Sequence, residues 1–147
     1  MTDLALQWKD GRADLVFQDG DLVLDESVLP AVMCSLFIDR IAEASDEIPD
    51  GTTNRRGYWA DAYEDDGSHW GSRLWLFSRE SQLESKLPAI EGYLSEGLQW
   101  FLDDGIASEI EVSASIPAMR TVAPSVAMTL VDQDDMPQLA IPNVVFL

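Results

Sequence analysis

The segment from Gly57 to Arg79 concentrates residue types that are common where proteins bind one another. Residues 55–79 contain three tryptophans, two tyrosines and four arginines. Aromatic side chains remove large areas from water and guanidinium groups form directional pairs, so this mixture is enriched at binding hot spots. Packing of Trp59 and Trp75 in an ordinary core, with the arginines balancing an acidic surface, explains the same composition. Composition alone therefore leaves both interpretations open.

Acidic side chains are the most abundant groups that could catalyse a reaction, and glycoside hydrolysis is the reaction that they would suit. It requires two carboxyl groups at a defined separation, one of them kept protonated by its surroundings. Glu64, close to Trp59 and Tyr63 in the sequence, is the best candidate. With 27 acidic residues a suitable pair arises by chance, so solvated surface carboxylates are the favoured interpretation. No catalytic residue is therefore predicted.

The sequence lacks the ligand patterns of common metal and phosphate sites. In the acidic run from Asp61 to Gly67, Tyr63 breaks the alternation of a calcium-binding loop, and no closing glutamate follows at the required distance. One cysteine, Cys34, and one histidine, His69, are too few for structural zinc. A glycine-rich phosphate loop ending in Lys-Ser or Lys-Thr is absent as well. We therefore expect no cofactor and no metal, and we interpret Cys34 as a buried structural thiol.

The first elements of the chain are predicted to be a strand meander and a helix. Apolar runs separated by Asp-Gly pairs favour antiparallel strands; the runs are Leu4–Trp8, Ala13–Phe17 and Leu22–Leu24. Apolar residues then recur every three or four positions from Leu29 to Ile41, which predicts a helix capped by Ser27 or Asp25. Pro30 fits only the first turn of this helix.

A second, longer helix is predicted from the apolar spacing between Leu83 and Leu102. Residues 81–84 match a capping box and Gly105 supplies a stop, while Pro88 either kinks this helix or marks its true start. Three later apolar runs predict strands; they are Glu109–Ala114, Val126–Val131 and Leu139–Leu147. This order predicts an α+β fold, with two main helices packed on a small, mostly antiparallel sheet.

Length and charge narrow the classes of partner. At 147 residues the chain has the size of one domain, so residues 1–147 are expected to fold as a single unit. Nine Lys and Arg against 27 Asp and Glu give a net charge of -18, which repels nucleic acid and anionic membranes. No apolar run approaches the roughly 20 residues needed to span a bilayer. Proteins are therefore the expected partners, and the lack of a signal-peptide pattern predicts synthesis into the cytoplasm.

The order of residues in the central segment resembles the baseplate wedge proteins of Mu-like contractile-tailed phages and prophages. The resemblance lies in Gly57-Tyr58-Trp59-x-Asp61-Ala62-Tyr63, in Gly71-Ser72-Arg73-Leu74-Trp75-Leu76 with Arg79-Glu80, and in the helix that closes on residues 98–107. With the opening meander it covers most of the chain, from Asp3 to about Val112. The central motif is specific, because several aromatics, glycines and one arginine must occur in order and at matching spacing.

The resemblance implies a structural protein of the tail baseplate, with a compact α+β fold once called lysozyme-like. Its implied partners are other wedge proteins and the tail sheath or tube, and its implied location is the virion, after assembly in the host bacterial cytoplasm. The residues expected to form an interface or a structural motif are Gly57, Tyr58, Trp59, Asp61, Tyr63, Gly71, Arg73, Trp75 and Arg79. A peptidoglycan glycoside hydrolase and an intracellular adaptor unrelated to phages are the alternatives.

Two single features carry expectations of their own. Arg73 is predicted either to hold a carboxylate within the domain or to reach a neighbouring subunit. The internal role is favoured, because Leu74 and Leu76 alternate with it in a strand-like run. The apolar run Leu139–Leu147 predicts either a core strand or a free edge to which a strand of the sheath or tube adds.

Overall fold

The computed structural model describes residues 1–146, and the first 25 residues form three two-stranded antiparallel ribbons. The ribbons pair β1 (Asp3–Leu4) with β6 (Leu24–Asp25), β2 (Leu6–Lys9) with β3 (Arg12–Leu15), and β4 (Phe17–Gln18) with β5 (Asp21–Leu22). They meet at a ring of backbone hydrogen bonds, in which Ala5 donates to Val23 (2.8 Å), Val23 to Val16 (3.0 Å) and Val16 to Ala5 (3.1 Å). The predicted meander is confirmed in its order, but each run bends in the middle and pairs with both of the others.

Helix α1 covers Leu29–Phe37, with Pro30 in its first turn as the sequence predicts. The hydroxyl of Ser27 accepts the amide of Leu29 at 3.2 Å. The predicted extension to Ile41 is wrong, because Ile38 is extended (φ -73°, ψ 134°) and the chain continues as a bridge to another segment. The spacing of apolar residues could not reveal where α1 ends, because the apolar side chain of Ile41 makes its contacts in the extended segment and not in a helix.

Helix α2 covers Leu87–Asp103, and a short 3₁₀ helix, Leu83–Lys86, precedes it. Pro88 therefore lies in the first turn of α2 and marks its start, one of the two possibilities that the sequence allowed. The predicted capping box does not form, because the 3₁₀ helix begins one residue later than the box requires, with Gln82 at its N-cap and no side-chain cap. Gly105, with φ +67°, follows the end of α2.

Three antiparallel strands, in the order β7-β8-β9, form the sheet on which α2 packs. They are β7 (Ala107–Ala118), β8 (Thr121–Leu130) and β9 (Val144–Val145). The predicted strand Leu139–Leu147 is wrong over most of its length, because the Ile141 amide turns back to the Leu139 carbonyl (3.1 Å) and Pro142 has no amide to donate. Leu147 lies outside the described residues.

The hydrophobic core lies between the two helices and β8. Its fully buried members include Leu36 of α1, Leu94 and Phe101 of α2, and Val122 and Val126 of β8. The α+β class is confirmed, although the strands of residues 1–146 are divided among four small sheets. In that part of the chain neither helix is long and apolar enough to cross a membrane.

Candidate interface site

The backbone of Gly71 and Ser72 lies beside the extended segment that follows α1. Ser72 donates its amide to Ile38 at 3.0 Å and accepts the amide of Arg40 at 3.0 Å, which makes a parallel bridge opposite Asp39. A Cβ on Gly71 would lie 2.1 Å from the Ile38 carbonyl oxygen, and Gly71 has φ +92°. Both the close approach and the left-handed backbone require glycine at this position.

Residues Arg73–Phe77 form a 3₁₀ helix. The Ser72 hydroxyl accepts the amide of Leu74 at 3.4 Å and donates to the carbonyl of Leu36 at 2.6 Å, so it caps this helix against α1. The strand-like interpretation of the run is wrong, because this serine cap closes a helical turn where the alternation of Leu74 and Leu76 suggested an extended chain.

Trp75 is a buried anchor of the segment. Trp75 is only 5% exposed, and its indole nitrogen donates to the carbonyl of Arg40 at 2.8 Å. The guanidinium carbon of Arg56 lies 4.4 Å from the centre of the Trp75 ring, and Arg56 also pairs with Asp39 at 2.7 Å. This face of the indole is therefore covered by an arginine that a carboxylate holds in place.

Arg73 is the centre of a second cluster of charged groups. Its Nε and Nη2 donate to Glu96 of α2 at 3.0 and 3.2 Å, and its Nη1 donates to Asp46 at 2.9 Å. The guanidinium carbon lies 4.2 Å from the centre of the Tyr93 ring. The side chains of Arg73 and Asp46 are 11% and 10% exposed. Arg73 thus holds carboxylates within the domain, the role that the sequence favoured.

The surroundings of Arg73 perturb two titrations. Burial opposes the charged form of Arg73, but hydrogen bonds to Glu96 and Asp46 outweigh it, so the pKa of Arg73 lies above its ordinary value. Burial raises the pKa of the Tyr93 hydroxyl, against the opposing effect of the Arg73 charge. Arg73 therefore stays charged throughout the physiological pH range.

The other half of the central segment is exposed to solvent. A 3₁₀ helix, Trp59–Tyr63, carries two large rings at its ends, and Trp59 and Tyr63 are 73% and 78% exposed. Their ring centres are 6.1 Å apart, in an edge-on arrangement. We call the four rings Tyr58, Trp59, Tyr63 and Trp70 the aromatic surface.

The aromatic surface is connected to the core by stacked rings. Tyr58 lies 6.4 Å from Trp70, Trp70 lies 5.5 Å from Trp100, and Trp100 lies 4.0 Å from the fully buried Phe101. The Trp100 indole also donates to the hydroxyl of Ser35 at 2.9 Å. Because these rings pack in series, the exposed rings are connected to the hydrophobic core.

Asp61 fixes the loop that carries Trp70. Its Oδ1 accepts the amide of Trp70 at 3.2 Å, and its side chain is 10% exposed. Its buried Oδ2 has no hydrogen-bond partner among the described residues, and His69 Nδ1 lies 3.5 Å away. Asp61 therefore supports the aromatic surface from beneath and is not itself part of the exposed face.

The structure separates the predicted motif residues into two groups. Asp61, Gly71, Arg73 and Trp75 form an internal frame. The exposed or half-exposed residues are Gly57 (φ +113°), Tyr58, Trp59, Tyr63 and Arg79. Arg79 lies apart from the aromatic surface, at the rim of a groove lined by Glu47 and Lys86 among others.

Sequence reasoning did not select four residues that the structure places at these sites, namely Asp46, Trp70, Glu96 and Trp100. Tyr93 and Glu96 are three positions apart on α2 and share one face, a spacing that could have suggested a joint contact. The pairing of Trp70 with Trp100 joins residues far apart in the sequence, and no local pattern indicates it.

The geometry offers little for catalysis or metal binding. Glu64, the candidate acid, is exposed, whereas a glycosidase acid needs a sheltered site that keeps it protonated. In residues 1–146 no three His, Cys, Asp or Glu side chains group as metal ligands. Cys34 is half-buried, and burial, with a contribution from the charge of Asp3, raises the pKa of its thiol. A raised thiol pKa opposes nucleophilic activity.

Comparison with known proteins identifies the family of the chain. A family described as "Phage protein GP46" matches residues 28–135. The chain is 43% identical over 138 residues to "Baseplate protein gp46" of Escherichia phage Mu, covering 93% of both chains. It is also 39% identical over 132 residues to "Mu-like prophage FluMu protein gp46" of Haemophilus influenzae, covering 90% of both. These matches run beyond Val112, where the resemblance seen in the sequence fades, and the chain therefore belongs to the phage GP46 protein family.

Proposed function

We propose that the protein is a structural component of the baseplate of a Mu-like contractile phage tail. The observation that carries the proposal is the 43% identity to a relative named as a baseplate protein, over 93% of each chain. Identity of this extent over nearly the whole chain supports a shared fold. In this proposal the protein is assembled in the cytoplasm of the host bacterium and resides in the virion tail.

The exposed half of the central segment supports an assembly role. Trp59 and Tyr63 leave most of their area in water in the isolated chain, which is costly unless a partner covers them. Rigid aromatic anchors of this kind carry a large share of the energy of protein interfaces. We infer that other wedge proteins of the baseplate cover the aromatic surface.

Disruption of the gene in a phage that encodes this chain tests the proposal. Electron microscopy of the lysate should show heads and no tails with complete baseplates, and an antibody against the chain should label the tail end of wild-type particles. Complementation by the Phe17→Ala variant, which removes an exposed ring outside the central segment, should restore the tails. Complete, infective particles that lack the chain would disprove the proposal.

We also infer that the protein acts without catalysis. Glu64 is exposed, and it does not line the concavity beside Trp59, where Asp61 is the only carboxylate among the described lining residues, so it lacks a sheltered acidic partner there. Zymography of the purified chain on peptidoglycan should show no clearing, with hen lysozyme as the positive control. Clearing that disappears in Glu64→Gln would favour the cell-wall hydrolase instead.

We also propose that the protein contacts the tail sheath or tube by strand addition, in which a strand of the partner joins the edge of its sheet. β9 is one edge of the three-stranded sheet, and Val145 is 56% exposed there. A partner strand would pair with the outer side of β9. Since the neighbouring Phe146 packs on the core, a point change is a better test than truncation.

Val145→Lys should preserve the thermal unfolding temperature and reduce co-sedimentation of the protein with purified sheath or tube. Val131→Lys is the matched control, because Val131 is similarly exposed, at 45%, and lies outside the sheet. Equal co-sedimentation of both variants and the wild type would exclude β9 as the contact.

A further inference from the structure

A groove of about 530 Å³ lies beside the aromatic surface, between the loop at residues 66–71 and the C-terminal half of α2. We call it the acidic groove. Its walls carry four carboxylates and two indoles, those of Asp66, Glu96, Asp103, Asp104, Trp70 and Trp100. Trp70 is 38% exposed, so part of its ring is open to the groove. Acidic and aromatic groups thus line one concavity.

The carboxylates of the groove exceed the cations that could neutralise them. Glu96 is already paired with Arg73 at 3.0 Å. Arg40, the cation of the lining, donates to the carbonyl of His69 at 2.6 Å and lies 4.0 Å from Glu96, so the carboxylates left over are those of the three aspartates. Within the described chain, Asp66, Asp103 and Asp104 form no ion pair. The amide and hydroxyl of Ser68 hold the pKa of Asp66 below its ordinary value, which keeps it ionised.

Asp61 adds to the negative character of the wall. Its unpaired Oδ2 lies behind His69, a lining residue, and faces His69 Nδ1 at 3.5 Å. The groove therefore offers carboxylates and indole faces, both of which attract a cationic donor.

Two other places in this chain combine an aromatic ring with a carboxylate, and in each of them an arginine of the chain itself contacts both. Arg56 lies over Trp75 and pairs with Asp39, and Arg73 lies over Tyr93 and pairs with Glu96. In both cases one guanidinium joins an aromatic face to a carboxylate. In the acidic groove the aromatic face and the carboxylates are present, and the described residues supply no guanidinium over Trp70.

We propose that the acidic groove binds an arginine side chain presented by a segment of a partner protein. A guanidinium stacks on an indole and donates to carboxylates in the plane of its fork, which an ammonium does not do. The net charge of -18 disfavours a second copy of this chain as the occupant. The inference rests on the proposed assembly role in one respect, namely that the arginine belongs to another protein.

Titration of the ¹⁵N-labelled chain with a blocked tri-arginine peptide tests the inference by nuclear magnetic resonance. The indole resonance of Trp70 and the amide resonances of Asp103 and Asp104 should shift on addition, while the indole of Trp8 should not. A tri-citrulline peptide, which keeps the shape and lacks the charge, should leave all of these resonances in place. Because the experiment uses the purified chain, its result does not depend on where the protein lies in the particle.

Two variants separate site binding from the attraction of an acidic surface. The double change Asp103→Asn with Asp104→Asn should weaken binding of the tri-arginine peptide about fivefold, which is the size of effect expected when exposed ion pairs are lost. The double change Asp10→Asn with Asp19→Asn removes the same charge from two exposed turns of the N-terminal ribbons, and it should leave the affinity unchanged. Equal weakening by both pairs, or equal shifts with the citrulline peptide, would overturn the proposal.

Discussion

Charge inside this domain is organised around Arg73. Its guanidinium connects the loop at Asp46 to Glu96 on α2, and it stacks on Tyr93 of the same helix. Removal of one partner from a sheltered ion pair leaves the others without compensation, which costs far more than the pair contributes when it is intact. Arg73 thus holds its own part of the central segment against α2.

Arg73→Ala should lower the free energy of unfolding by about 3 kcal/mol, because two partly buried carboxylates lose their partner. Arg73→Lys should cost about 1–2 kcal/mol, since it keeps the charge and loses the bidentate geometry. Urea unfolding followed by tryptophan fluorescence measures both values. Arg12→Ala, at an exposed position of β3, is the control and should cost less than about 0.5 kcal/mol. An Arg73→Ala loss no larger than that of the control would contradict this account.

Cys34 gives a prediction about pH. Its thiol pKa is raised by burial and by the nearby charge of Asp3, so the thiolate forms only at higher pH than in an exposed cysteine. Alkylation by iodoacetamide at pH 8 should be slower in the folded protein than in the urea-unfolded chain, and its rate should keep rising above pH 9. Faster alkylation of the folded chain at pH 7 would instead indicate an activated thiol.

Sequence reasoning reached some of these side chains and missed their partners. The internal role favoured for Arg73 agrees with its contacts, although the strand-like run from which it was argued is a 3₁₀ helix. The structural interpretation of Cys34 agrees with its half-buried position. The partners Asp46 and Glu96 lie 27 and 23 positions from Arg73, and a single acidic sequence offers too many alternative carboxylates to choose among them. Whether the exposed motif residues contact a partner stays a prediction.

Helices α1 and α2 contact each other at Gly97 of α2, and this contact determines how closely the two helices approach. A Cβ on Gly97 of α2 would lie 2.7 Å from the carbonyl oxygen of Ser35 in α1 and 3.1 Å from that of Gly71. Gly92 of the same helix has nothing within 4 Å of its would-be Cβ. Close packing therefore requires glycine at position 97 but not at position 92. The sequence alone shows both residues only as weak helix formers.

Gly97→Ala should destabilise the protein by about 1–3 kcal/mol, because the added methyl group forces α2 away from two backbone oxygens. Gly92→Ala should stabilise it by about 0.5–1 kcal/mol through helix propensity alone. Thermal unfolding of both variants followed by circular dichroism gives the comparison. Stabilisation by Gly97→Ala would show that α1 and α2 are not held at the described distance.

The types and order of the elements were more predictable than their ends. Asp10-Gly11 and Asp19-Gly20 mark their turns because both residues of each pair adopt positive φ. The end of α1 was not predictable, since residues 38–42 leave the helix to pair with Ser72 and with Arg55, contacts that no local pattern contains. Tertiary hydrogen bonds decided these boundaries.

The molecule as a whole carries a charge of -18, and the sequence alone establishes this property. Much of that charge lies on exposed side chains, such as Glu109 and Glu111 of β7. Repulsion among them is relieved when the chain expands, so it favours unfolding. The pairs around Arg73 are sheltered and are screened less by salt than the exposed carboxylates.

Salt should therefore stabilise this protein. Because the Debye length falls from about 30 Å at 0.01 M to about 3 Å at 1 M, added sodium chloride screens the repulsion between surface carboxylates more than it weakens the pairs of Arg73. The unfolding temperature, measured by scanning calorimetry, should rise between these two concentrations. The double change Glu109→Gln with Glu111→Gln should raise the temperature in low salt and reduce its dependence on salt. A temperature that falls as salt is added would show that attractive ion pairs outweigh the surface repulsion.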